Sequence, residues 1–300
     1  MSMVRVATAQ YPVDFLEGWN HYVDKISAWV KEAASEGAQI AVFPEYASME
    51  LVSLFAEEVR QDLSFQMSEM QRLLDDYLAL HRELARQYGV YVIGGSYPVR
   101  LLDGSYRNRA YVFSPQGRVD FQEKILMTRF ESELWLISYG DQLKVFETPF
   151  GAFGINICYD SEFPLLARRQ VEAGANLIIA PSCTDTPYGY NRVKIGCQAR
   201  ALENQCYVAH AVLVGDAPWS IAIEENCGRA AVYTPVDVGF SEDGIEAIGE
   251  WNAPCWVYAN VDLARSEEVR VRGEVLNFRD WSNQAVAANA EIERVNLGTP

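Results

Sequence analysis

The chain has 300 residues, of which 49% are hydrophobic and 22% charged, the balance of a globular protein able to bury a substantial core. Its 25 basic and 41 acidic residues leave a net charge of −16, which disfavours nucleic acid and anionic membrane as partners. No apolar run reaches the roughly 18 residues of a membrane span, and the first residues lack the basic flank and cleavage pattern of a signal peptide, so the chain reads as cytoplasmic.

In chain order, residues 4–9 read as a buried strand. Over 17–36 the apolar positions Tyr22, Val23, Ile26, Val30, Ala33 and Ala34 recur at helical spacing, and Gly37 closes the helix. Residues 38–43 form a second apolar strand, stopped by Pro44. A helix is expected over 64–88, then Gly89 and a strand at 90–93. Strands at 109–113 and 118–121 flank Ser-Pro-Gln-Gly, a hairpin signal. From residue 140 strands and helices alternate: strands at 143–147, 153–158, 176–180 and 206–214, helices at 163–173 and 191–204. Later strands are expected at 230–233 and 256–262, while 265–272, with its alternating charges, reads as a solvated edge. This alternation argues α/β, and the interleaved hairpin makes the sheet mixed. Nothing in composition divides the chain, so one domain is expected over 1–280 with a C-terminal tail over 281–300.

Three strand ends carry the chemistry. Gly154-Ile-Asn-Ile-Cys158-Tyr-Asp-Ser-Glu-Phe-Pro164 ends an apolar run in a thiol and continues at once into a polar, helix-starting segment. A nucleophile placed there faces the backbone N–H groups of the next turn, where an oxyanion can be held. Phe43-Pro44-Glu45-Tyr46 sets a carboxylate just past a buried strand, where loss of hydration raises its proton affinity and suits a general base. Lys124 follows the hairpin strand and can supply fixed positive charge to the same oxyanion. The histidines His21, His81 and His210 lie in helical or strand runs rather than in turns that position a base, so a carboxylate is the expected partner of Cys158. The six cysteines (Cys158, Cys183, Cys197, Cys206, Cys227 and Cys255) have no C-x-x-C or zinc-like spacing, and no metal or other cofactor is expected.

Glu45, Lys124 and Cys158, in this order and with these flanks, resemble the carbon–nitrogen hydrolase (nitrilase) superfamily, whose mark is a Glu-Lys-Cys triad. The resemblance runs from about residue 4 to 280 and also rests on Tyr106-Arg-Asn-Arg-Ala-Tyr-Val-Phe-Ser-Pro-Gln-Gly117, Pro181-Ser182 and Gln198-Ala-Arg-Ala-Leu-Glu-Asn-Gln-Cys-Tyr-Val208. It implies a four-layer α-β-β-α sandwich with two mixed β-sheets, assembled as a homodimer or higher homo-oligomer, with 163–174 at the contact. It makes Glu45 the base, Cys158 the nucleophile, and Lys124 with the Tyr159 N–H the holders of the oxyanion. It also implies a second, positioning glutamate after the lysine: Glu131 and Glu133 are both candidates, and the distance to Gly140 favours Glu133. Cys183, after Pro181-Ser182, is expected to line the pocket. Asp160 is expected to cap the following helix or pair with a base such as Arg200, and Arg200 with Glu203 and Asn204 to form a buried ion-pair network.

Two departures from the family pattern lie near the lysine: Leu126 where many relatives have histidine, and Tyr139-Gly140 where they have Pro-Gly. The Tyr-Asp after Cys158 resembles the amidase and carbamoylase branches, whereas nitrilases more often carry Trp-Glu. The implied activity is hydrolysis of a small linear amide or N-carbamoyl compound through a thioester, releasing ammonia or an amine. Alternatives are nitrile hydrolysis, acyl transfer from the same thioester, and a non-catalytic binding protein that keeps the fold.

Overall fold

The computed structural model describes residues 3–298; of the expected domain and tail, residues 1–2 and 299–300 lie outside the described residues. The strands are β1 (Met3–Pro12), β2 (Ile40–Val42), β3 (Tyr91–Arg100), β4 (Tyr106–Phe113), β5 (Val119–Glu123), β6 (Val145–Thr148), β7 (Gly151–Ile155), β8 (Leu177–Ser182), β9 (Tyr207–Val214), β10 (Ala231–Tyr233), β11 (Ile245–Ile248) and β12 (Cys255–Asp262). The helices used below are α1 (Trp19–Ser35), α2 (Glu57–Arg60), α3 (Leu63–Met70), α4 (Leu74–Tyr88), α5 (Arg129–Glu133), α6 (Pro164–Glu172), α7 (Pro187–Asn204) and α8 (Leu263–Arg272).

The strands form one mixed, curled sheet in the order β5-β4-β3-β2-β1-β9-β8-β7-β6, with β12 on β1, β10 on β9, and β11 on β10. The two separate sheets of the expectation are therefore one continuous sheet. The reason is the length of β1. Its Val6–Thr8 pair in parallel with Ile40–Val42, while its last residues, Gln10–Pro12, pair with Val212–Val214 of β9 and so join the two halves.

The period-2 alternation of β1 sends its side chains to two cores. Val4 and Val6 join one with Ile40, Val42, Ile178 and Val208; Ala7, Ala9 and Tyr11 join the other with α1, α3 and α4. Helix α1 buries Tyr22, Ile26, Val30 and Ala33, spaced four, four and three residues apart, on that second core. Ile26 and Val30 each contribute roughly 1.5–3 kcal/mol by leaving water. Strands β8 and β9 are buried at every position, which accounts for their continuous apolar sequence.

Most expected elements are present, with shifted ends. The single helix expected over 64–88 is instead α3 and α4, parted by a 3-10 turn at Gln71–Leu73. The Tyr97 hydroxyl takes the Met70 carbonyl, and Gln71 bonds the Met67 and Pro98 carbonyls at 2.8 Å each, so the ladder is diverted. The segment expected as a solvated edge belongs to α8, capped by Asp262, and its Arg270 reaches inward to the carbonyls of Asn204 and Gln205. Beyond Trp281, which lies against the Arg168 guanidinium with Phe278, the described tail residues are exposed. No helix among the described residues is long and apolar enough to cross a membrane.

Candidate active site

The site lies where the ends of β2, β5 and β7 converge. Strand β2 stops at Val42, Pro44 ends the ladder, and Glu45 follows, 1% exposed. The next residue, Tyr46, is left-handed (φ 55°), and its N–H donates to Ser96 Oγ at 3.0 Å. This tight turn needs the glycine at 95: φ is +79°, and a Cβ there would lie 2.3 Å from the Pro44 carbonyl oxygen.

Both oxygens of Glu45 are held. Oε1 accepts from Lys124 Nζ at 2.8 Å and Asn108 Nδ2 at 2.9 Å, and Oε2 accepts from the Cys183 N–H at 3.1 Å. Burial raises the proton affinity of Glu45 above the ordinary carboxylate range, with the neighbouring Lys124 ammonium opposing it. A raised pKa is what a base that must also return its proton requires.

Lys124 is also 1% exposed and bridges Glu45 to Glu131, whose Oε2 lies 2.6 Å from Nζ. Burial works against its charge, but the two carboxylates prevail and hold the ammonium well above its usual pKa. Glu131 accepts further hydrogen bonds from the Tyr46 hydroxyl at 2.8 Å and from the N–H and hydroxyl of Thr128 at 3.0 and 2.9 Å. Burial alone would raise its pKa; Lys124 and these donors outweigh it and keep it a carboxylate.

Glu133, the residue favoured from the distance to Gly140, does not join this cluster. It lies on the exposed side of α5, paired with Arg129 at 2.9 Å, and Glu131 occupies the position beside the lysine instead. The distinguishing signal was Thr128-Arg-Phe-Glu131, a capping box that turns Glu131 back toward its own helix start and so toward Lys124.

Cys158 follows β7 in a 3-10 turn, 5% exposed, with φ +49°. Its Sγ points at the Cys183 carbonyl at 3.6 Å, and the thiol also supports the Glu45 carboxylate. Cys183 thus touches both Glu45 and Cys158 through its own backbone, N–H to the carboxylate and C=O to the thiol, while its half-buried Sγ meets Asn226 Oδ1 at 3.3 Å. Burial and the Glu45 charge push the Cys158 thiol well above its usual pKa, against the pull of Lys124. The direction of this shift favours the neutral thiol.

Tyr159 is partly buried, its ring edge-on to Phe163 at 4.9 Å, and its N–H belongs to the turn that carries the thiol. The ring of Tyr46 meets that of Trp135 at 4.7 Å and forms a wall beside Glu131.

Asp160 neither caps α6 nor pairs with Arg200. Its carboxylate accepts backbone N–H groups of Ile125, Leu126 and Ile157. Burial lifts its pKa to about 7, against Lys124 and those N–H groups. Arg200 pairs instead with Glu203 at 2.7 Å and donates to the Ser161 carbonyl at 3.1 Å, a buried network under the turn.

Asn108 was not singled out from the sequence, although it sits in one of the quoted segments. It bridges Glu45 and Glu131, and its carbonyl accepts the Lys124 N–H at 2.9 Å. The available signal was a polar residue at period-2 spacing from Ala110 and Val112; the structure buries it fully with them on one face of β4.

The strand ends of one curled α/β sheet thus bring together a buried thiol, a carboxylate of raised proton affinity and an ammonium clamped by two carboxylates. The carbon–nitrogen hydrolase family model matches residues 5–270, and the chain belongs to that family, a class of amidase-like hydrolases.

Among curated proteins, the chain is 35% identical to the probable hydrolase YhcX of Bacillus subtilis over 92% of its own length, and it spans about half (53%) of that longer relative. It is 30% identical to the ω-amidase NIT2 of Xenopus tropicalis, over 90% of this chain and 92% of that one. Among solved structures, it resembles a carbon–nitrogen hydrolase from Helicobacter pylori (TM-score 0.75, 19% identity, 94% of each chain). It also resembles an amidase from Nesterenkonia sp. (TM-score 0.66, 21% identity, 89% of this chain and 95% of that one). At these identities the two structures speak for the fold.

Proposed function

We propose that this protein hydrolyses a carbon–nitrogen bond in a small linear amide or N-carbamoyl compound, with Cys158 as nucleophile. The observation that carries this reading is the pairing of a neutral, buried thiol with a carboxylate of raised proton affinity, both anchored on Cys183 and facing Lys124. Family membership and the ω-amidase relatives support an amide as the substrate.

In the proposed reaction Glu45 takes the proton of Cys158 as sulfur attacks the carbonyl carbon. The C=O π pair moves onto oxygen, and the oxyanion is held by the Lys124 ammonium and the Tyr159 N–H. As the carbonyl re-forms, the C–N bond breaks and Glu45 gives its proton to nitrogen, which leaves as ammonia or an amine. Water then enters, Glu45 takes one of its protons, and the hydroxide attacks the thioester. The C–S bond breaks, and the sulfur regains a proton. Glu131 keeps Lys124 charged and in place throughout.

Within this proposal the working molecule is a homodimer or higher homo-oligomer, with α6 and α7 at the contact. Support comes from the apolar side chains these helices expose, Leu165 at 63% and Ile195 at 65%.

The test is a panel of small amides and N-carbamoyl amines assayed for ammonia or amine release, with intact-mass detection of an acyl adduct at Cys158. Cys158→Ala is expected to abolish both. Turnover retained by Cys158→Ala would sink the proposal.

A further inference from the structure

Lys124 and Cys158 come from strands far apart in the sheet: six strands separate β5 from β7 in the ladder order. No ladder between those strands sets the distance from the ammonium to the sulfur. Asp160 provides a direct polar link between the two segments. It is 1% exposed, and no Lys, Arg or His side chain forms an ion pair with it among the described residues. Its hydrogen bonds come from backbone N–H groups on both sides. Ile125 donates to each oxygen at 3.2 Å and Leu126 to Oδ1 at 2.8 Å, directly after Lys124; Ile157 donates to Oδ2 at 3.2 Å, directly before Cys158.

The same residue closes the turn that carries the thiol. The Asp160 N–H donates to the Ile157 carbonyl at 3.0 Å, and the neighbouring Ser161 hydroxyl takes the Cys158 carbonyl at 2.6 Å. Between these anchors Cys158 keeps a left-handed backbone (φ +49°), a conformation unfavourable for a non-glycine residue. Nothing local to cysteine favours it, so the surrounding hydrogen bonds must impose it.

We infer that Asp160 is a positioning residue that ties the Lys124 and Cys158 segments together through their backbone, fixing both the sulfur-to-ammonium gap and the strained conformation of the nucleophile. The inference rests on the reading of Cys158 as nucleophile. An amide in place of the carboxylate can satisfy only one side: with its oxygen on Leu126, its NH2 faces the Ile157 N–H, and the reverse if flipped. Asp160→Asn therefore releases one segment while changing volume little.

The probe is iodoacetamide, with alkylation of each cysteine followed by peptide mass spectrometry well below the melting temperature of each variant. Wild-type Cys158 is expected to react faster than the buried Cys197, and Asp160→Asn to slow Cys158 by about tenfold or more, because a displacement of order 1 Å is costly to such a site. A purely structural cap would lower the melting temperature and leave the rate alone. Loss of negative charge alone would favour the thiolate and speed the reaction. An unchanged or faster rate therefore overturns the inference. A wild-type Cys158 no more reactive than Cys197 would instead remove the nucleophile reading beneath it. If Asp160→Asn does not fold, hydrogen exchange on the wild-type protein decides: Leu126 and Ile157 amides are expected in the slow class, and exchange at the rate of exposed loops overturns the inference.

Discussion

At the residue scale, the two glutamates after the lysine separate most sharply. Glu131 makes a buried 2.6 Å pair with Lys124, whereas Glu133 pairs with Arg129 in solvent. Breaking a buried pair from one side costs about 3–5 kcal/mol, and an exposed pair contributes about 0–1 kcal/mol. Glu131→Gln is therefore expected to reduce kcat by about 10²-fold or more, and Glu133→Gln to stay within about twofold of wild type. Steady-state kinetics on the two variants checks this, and equal effects would contradict it. A second consequence concerns pH. In the proposed reaction Glu45 must be ionised to accept the thiol proton, and burial raises its pKa above the ordinary 4.5. Activity should therefore fall with acid at a pH above that value, as Glu45 becomes protonated. A kcat/KM profile still flat down to pH 4 would contradict the assignment.

Residue-level legibility followed the same division. Cys158, Glu45 and Lys124 stood out because each follows a recognisable strand end. Asn108 did not, and Asp160 was read as a cap or an ion-pair partner, because their contacts depend on which strands lie side by side, and that is a property of the curl. Cys183 drew notice at a strand end, but its backbone contacts to Glu45 and Cys158 were not legible.

At the scale of elements, local sequence and tertiary demand part company in a few places. Residues 64–88 carry a continuous helical pattern, yet Tyr97 and Gln71 take carbonyls from the ladder and break it after Met70. Helix α7 starts at Pro187 rather than near 191, because Thr186 caps it and proline suits its first turn. That signal was present in the sequence. Gly196 on α7 has a tertiary purpose that the sequence did not disclose: a Cβ there would lie 2.7 Å from the Ser161 carbonyl oxygen, so glycine lets the helix pack onto the turn of Cys158. The turn at Glu45 and Tyr46 gives an element-scale prediction. Gly95→Ala places a methyl group against the Pro44 carbonyl at a positive φ, and is expected to destabilise the protein by more than about 1 kcal/mol. It should also lower kcat, by displacing Glu45. Urea denaturation alongside kinetics measures both, and an unaltered midpoint would show that the turn is not so constrained.

At the scale of the whole molecule, composition and alternation gave α/β, a mixed sheet and a large core, while the joining of the halves through Gln10–Pro12 was hidden. Nothing in the sequence of β1 marks its last three residues as pairing with β9 rather than ending at a sheet edge. Assembly belongs to this scale too. If α6 and α7 form the proposed contact between copies, Leu165→Asp combined with Ile195→Asp should convert the assembly to monomers in sedimentation equilibrium. Wild-type protein that is already monomeric, or a variant that assembles unchanged, would contradict that contact.

The most direct measurement is intact-mass spectrometry of the protein mixed with a turned-over amide and quenched within the first turnover. A covalent acyl group is expected on Cys158, with amine or ammonia released in equal amount, and neither should appear in Cys158→Ala. Product formation with no adduct at Cys158, together with activity surviving in Cys158→Ala, would contradict a thiol-based mechanism at this site.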